Sequence, residues 1–143
     1  MIIGLFALTV AAIFFGAAFY VNFAEQPARL HLDDRSLLVE WKPAYKRGFI
    51  MQASLAVIGF VLGMLAWWQT AIWLWLFGAL VLVANWPYTV FVIMPTNNEL
   101  MAIDPTSAGP HSRKLIQKWS RLHAVRTALG LAATLIFIAA LLR

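Results

Sequence analysis

The sequence has no cysteine. That excludes a disulfide, a thiolate metal site and a cysteine nucleophile. The three histidines, His31, His111 and His123, show no metal-ligand spacing such as i, i+4, so no zinc or iron–sulfur centre is expected, nor any other metal or cofactor. Charge is also scarce. Charged residues make up 12% of the 143 positions, against about 25% in an average soluble protein. The net charge of +5 comes from basic residues that flank apolar runs rather than forming a basic domain. Membrane topology accounts for that pattern better than nucleic acid does, and no nucleic-acid partner is expected.

What is present is long apolar sequence. Residues 1–24 carry no charge, and Gly48–Asn98 is a run of 51 residues without Asp, Glu, Lys, Arg or His. As one helix that run would extend about 76 Å at 1.5 Å per residue, more than twice a hydrocarbon core of about 30 Å. It must fold back on itself. The pattern predicts an all-α, integral membrane four-helix bundle, a single four-span domain over residues 1–143 with spans at 2–24, 48–68, 71–94 and 122–142. Short cytoplasmic helices are expected in its two large loops. The first run has no basic start and no small-residue cleavage site, and it reads as a retained span rather than a signal peptide. Trp67, Trp68, Trp73 and Trp75 crowd the connection between the second and third spans, as an interfacial belt would.

Local signals refine the picture. Asp33 or Asp34 can cap a short helix running through Trp41, and Pro43 suits the first turn of the helix that follows. Pro27 should kink or end the first helix, and Pro87 should kink the third at membrane depth. Thr96 and Glu99 have capping-box spacing. The loops joining spans one to two and three to four carry nine Lys or Arg residues, whereas the opposite side carries only Arg143. The positive-inside rule then predicts cytoplasmic loops and both termini outside.

The last uncharged run, Thr127–Leu142, is only 16 residues, or about 24 Å as a helix. To cross a bilayer it must draw His123 and Arg126 to the membrane edge. Ionisable groups there are costly and point to function. Trp119, His123, Arg126 and Gly130 recur at i, i+4, i+7 and i+11, one helical face. On the first span Phe15, Phe19, Asn22, Gln26 and Arg29 form a similar stripe, with Glu25 beside it as the expected partner of Arg126. Asn85, Tyr88 and Asn97 add polar groups from the third span. All of these fall toward the predicted cytoplasmic half. The reading is a cleft facing the cytoplasm, lined by Phe19, Asn22, Glu25, Asn85, Tyr88, Asn97 and Trp119, together with His123 and Arg126.

Glu25-Gln-Pro-Ala-Arg29-Leu, Trp41-Lys-Pro-Ala-Tyr45-Lys-Arg47-Gly48, Asn85-Trp-Pro87, Met94-Pro-Thr-Asn97 and Trp119-Ser-Arg-Leu-His123-Ala-Val-Arg126 together resemble an uncharacterised family of small four-span integral membrane proteins. Its broader superfamily includes the fungal anthrone oxygenases of polyketide biosynthesis. The resemblance implies a bacterial inner (plasma) membrane location. It also implies an oxygenase that acts without metal or flavin on a hydrophobic aromatic or quinone-like compound. His123 would be the base, although asparagine often stands there in the oxygenase branch, and Arg126 with Asn22 or Asn85 would hold the oxyanion. Two other functions stay open on the sequence: a non-catalytic membrane protein binding lipid or a small ligand, and an accessory subunit of a larger membrane complex or a homo-oligomer.

Overall fold

The computed structural model describes residues 2–143. Four long helices account for most of the chain: α1 (Ile2–Arg29), α2 (Asp34–Thr70), α3 (Trp73–Ala102) and α4 (Pro110–Leu141). Each is long and apolar enough to cross a membrane. No strand occurs among the described residues. Each helix packs on its neighbours in the chain, and α4 closes the ring against α1, so α1 and α3 sit on one diagonal and α2 and α4 on the other. This is the expected all-α bundle, and the protein is a membrane protein.

The four helices outrun the apolar sequence at one end. α2 is 37 residues long, about 55 Å, and its first turns carry charge. The loop helices are therefore present as continuations of the spans, not as separate elements. Pro43, expected to open a new helix, lies inside α2. Burial explains why the helix continues: Leu37, Leu38 and Trp41 are fully buried on one side of Pro43, while Val39, whose carbonyl loses its donor, faces outward and can be solvated. Asp33 caps α2, its Oδ1 accepting from the backbone amides of Arg35 and Ser36, both at 3.0 Å. The Ser36 hydrogen bonds hold its carboxyl below the usual carboxylate range. The expected capping box at Thr96 does not form, because the helix is continuous through it; Glu99 instead meets His111 at 2.9 Å.

Besides a break in α3 at Ala84, three residues before Pro87, two turns depart from α geometry among the described residues, Val21–Glu25 in α1 and Thr89–Ile93 in α3, and each is a single wide π turn. A proline follows two residues later in both cases, Pro27 and Pro95. The amides of Gln26 and Met94 reach back five residues, to the carbonyls of Val21 and Thr89, so one extra residue is accommodated where proline cannot donate. The buried series Gly4, Ala7, Ala11, Phe14, Ala18 steps by three and four, then resumes at Gln26 rather than Glu25. That one-residue shift matters below.

The core is divided into layers. Phe14, Ala56, Ala79, Ala133 and Phe137 belong to one apolar cluster toward the chain termini. Leu38, Trp41, Ile93, Ile116 and Trp119 belong to a second, toward the charged end. Between them lies a polar layer of Asn22, Gln52, Asn85, His123 and Arg126. At the charged end Arg113 secures the α1–α2 connection, donating to Asp34 at 2.5 Å and to the carbonyls of Leu30 at 2.9 Å and Leu32 at 2.5 Å. Lys42 closes the end of α3 by donating to the Met101 and Ile103 carbonyls at 3.1 and 2.5 Å.

Candidate functional site

On α4 the buried face runs Trp119, His123, Arg126, Gly130 without interruption. A regular helix turns these four inward because their spacing matches its period. A cavity of about 420 Å³ sits over this face, within the roughly 300–1,000 Å³ of small-molecule sites. Its floor is His123, Arg126, Trp119, Asn97 and Gln52; its mouth is Tyr20, Arg47, Gly48 and Met51. Three arginines, Arg29, Arg47 and Arg126, line it against one carboxylate, Glu25.

Arg126 is the unusual member. It is 6% exposed, forms no ion pair among the described residues, and its buried Nε has no hydrogen-bond partner. Its nearest compensation is the Phe14 ring, 5.8 Å from Cζ. The expected Glu25–Arg126 pair is not made. Glu25 is bound by Arg29 one turn along the same helix, and Arg29 also places Nε 3.0 Å from Glu40 Oε2, too poorly aligned for a hydrogen bond. A local i, i+4 partner needs no interhelical alignment, so it takes the carboxylate first. Arg126 is left as a cation whose neighbours satisfy it with a ring face alone.

Hydrogen bonds fix the orientation of His123. Asn22 Nδ2 donates to the Ser120 carbonyl at 2.9 Å, which makes Asn22 Oδ1 the acceptor end. That oxygen accepts from Thr127 Oγ1 at 2.7 Å and lies 2.8 Å from His123 Nδ1. Nδ1 must therefore be the protonated nitrogen, leaving the lone pair of the neutral ring on Nε2. Trp119 tilts over the ring, centroids 4.9 Å apart, and the Trp41 edge braces Trp119 at 5.7 Å. An oriented base beside an unpaired cation can take a proton and hold the anion that results.

A second, smaller chamber of about 30 Å³ lies on the far side of Arg126, between α2 and α3. Asn85 and Thr89 line it, and both Asn85 Oδ1 and Thr89 Oγ1 are buried without a partner.

The expected residues are thus distributed as follows. Glu25, Asn97, Trp119, His123 and Arg126 line the main cavity. Asn22 supports His123 from behind, and Asn85 lines the small chamber. Tyr88 is turned to α4, where its hydroxyl donates to the Leu122 carbonyl at 3.0 Å. Phe19 faces outward, 47% exposed, stacked on Phe23. Its stripe assumes one helical period, and the π turn breaks that period between Phe19 and Gln26. The aromatic side of the cavity comes instead from Tyr45 and Phe49 on α2. Tyr45, Arg47 and Gln52 stand out in the sequence as polar groups beside an apolar run, but only the continuous α2 shows that they share a wall.

Fold and cavity together define a four-helix membrane protein with a polar chamber buried among its helices. A family model described as anthrone oxygenase matches residues 41–136, two thirds of the chain. The chain belongs to the anthrone oxygenase family. No match is found among curated proteins or among solved structures. The matched region contains Tyr45, Gln52, Asn97, Trp119, His123 and Arg126.

Proposed function

We propose that the protein is a membrane oxygenase that acts, without a cofactor, on a flat hydrophobic ketone with an acidic C–H bond, of the anthrone type. The observation that supports this reading best is Arg126, a buried cation with no anion of its own, facing a cavity beside an oriented histidine. On this reading the ligand carbonyl oxygen lies at Arg126 and His123 Nε2 removes a proton from the CH₂ carbon conjugated with that carbonyl, which in anthrone lies opposite it across the central ring. Arg126 holds the enolate oxygen. The enolate carbon gives its electron pair to dioxygen, forming a C–O bond and a peroxide anion that recovers the proton from His123. Loss of water from that hydroperoxide leaves a new carbonyl: one oxygen atom stays in the product, the other leaves as water, and the CH₂ group supplies both hydrogens. Glu25, Asn97 and Trp119 line the ligand's surroundings, Asn22 positions the base, and Asn85 and Tyr88 support Arg126 and α4 from α3. The charge asymmetry favours placing the cavity in the cytoplasmic half of a bacterial inner membrane.

The test is oxygen uptake and quinone formation by purified protein in nanodiscs given anthrone. Arg126→Leu should lower turnover about 10²- to 10³-fold, the usual effect of removing one oxyanion donor. An unchanged rate in that variant would overturn the reading. If wild type binds anthrone without consuming oxygen, the cavity is a non-catalytic ligand site.

A further inference from the structure

The mouth of the main cavity does not open at the charged end of the bundle. Its exposed members are Tyr20 on α1, 60% exposed, and Met51 on α2, 46% exposed, with Arg47 and Gly48 one turn nearer the loops. α1 carries no charge before Glu25, and α2 carries none between Arg47 and the end of the helix. Tyr20 and Met51 therefore lie within the apolar sequence of their helices, and Arg47 marks its boundary. The gap between α1 and α2 faces the bilayer at the level where headgroups meet acyl chains.

Gly48 borders this gap. A Cβ placed there meets no atom within 4 Å, so its small size is not required by any neighbouring helix. Close packing does account for other glycines, such as Gly130, where a Cβ would come within 2.8 Å of Phe14. The charged end, by contrast, is closed by the Leu38, Trp41, Ile116 and Trp119 cluster and by the Arg113 and Lys42 clamps.

We propose that the cavity is loaded sideways from the bilayer, through a portal between α1 and α2 framed by Tyr20, Gly48 and Met51, and that its ligand is a membrane-dissolved weak acid. The apolar lip admits the body of such a molecule, Arg47 meets its polar edge at the headgroup level, and Arg126 receives its acidic oxygen at the floor. The inference rests on the reading of the cavity as a ligand site.

Gly48→Leu tests the portal. The substitution fills open space and replaces glycine with a better helix former, so the fold should persist. Gly16→Leu is the control, since Gly16 is equally free of neighbours but does not line the cavity. The probe is 1-hydroxyanthraquinone dissolved in phosphatidylcholine vesicles that carry the protein, with loading followed by quenching of tryptophan fluorescence after rapid mixing. Gly48→Leu should slow loading and release by about tenfold or more with little change in equilibrium occupancy, a kinetic signature. Gly16→Leu should behave as wild type, and the wild-type rate should follow the probe's mole fraction in the lipid. Wild-type loading by Gly48→Leu, while Arg126→Leu abolishes binding, would overturn the portal and leave the site intact. Unchanged binding in Arg126→Leu would overturn the site itself.

Discussion

Arg126 and Asn22 do opposite things at the same depth. Arg126 is charged and has no anionic partner among the described residues, whereas Asn22 spends every polar atom of its side chain, on Ser120, Thr127 and His123. Asn22→Ala removes one acceptor shared by two donors, the buried His123 and the half-buried Thr127. It should destabilise the protein by about 1–3 kcal/mol, read by thermal unfolding in detergent, and it should free the His123 ring to turn. If the proposed oxygenase reading holds, turnover should fall with the anthrone KM little changed, because Asn22 touches His123 and does not line the cavity. At this scale the sequence is informative where cost decides the outcome: a short final span draws His123 and Arg126 inward whatever surrounds them. It is uninformative where a competitor is close. Glu25 has Arg29 four residues away, and no count of depths along separate helices can show that the local pair forms first. Phe19 fails for another reason, since its stripe is read with one period across a turn that holds an extra residue.

Among the elements, the short connection between α2 and α3 is under the clearest backbone constraint. Ala71 ends α2 at φ 57°, ψ 13°, the left-handed region, where a Cβ is unfavourable and glycine is not. Ala71→Gly should stabilise the folded protein by up to about 1 kcal/mol, and Ala71→Val should destabilise it, both measurable as shifts in unfolding temperature. Gly130 sets the α1–α4 approach: its Cβ would fall 2.8 Å from Phe14 Cδ1 and 3.2 Å from Phe15 Cα, and the second atom is backbone and cannot rotate away. Gly130→Leu should cost several kcal/mol through overpacking, with loss of monodisperse protein in detergent as the readout. The cap at Asp33 gives a pH sign. Its carboxyl is held below the ordinary value of 3.8 in the folded chain, so its contribution is present at neutral pH and lost only as pH falls through that lowered range. The helices themselves are legible from uncharged length. Their true ends are not, because Pro43 reads as a boundary until Leu37, Leu38 and Trp41 find their buried partners.

Over the whole molecule, polar and apolar material is sorted along one axis: apolar cluster, polar layer with the cavity, second apolar cluster, charged loops. The sorting follows from the chain's nine-to-one division of Lys and Arg between the two sides. Cysteines placed at Ala71 and Ser107, otherwise free of competing thiols, should react with an impermeant reagent in intact cells at position 71 and not at 107; labelling at 107 would reverse the proposed orientation. The two π turns have a mechanical consequence. They sit at comparable heights on α1 and α3, one diagonal of the bundle, while α2 and α4 are unbroken α-helix on the other. The charged end is thus joined to the membrane half by two compliant joints and two stiff struts, and such a frame rocks more easily about the line of the struts than about any other. Rocking of that kind would widen or narrow the α1–α2 gap without disturbing Phe14, Ala79 or Phe137. Deuterium exchange should detect it as early uptake at residues 21–26 and 89–94, ahead of the regular α-helical turns of α2 and α4 at the same depth.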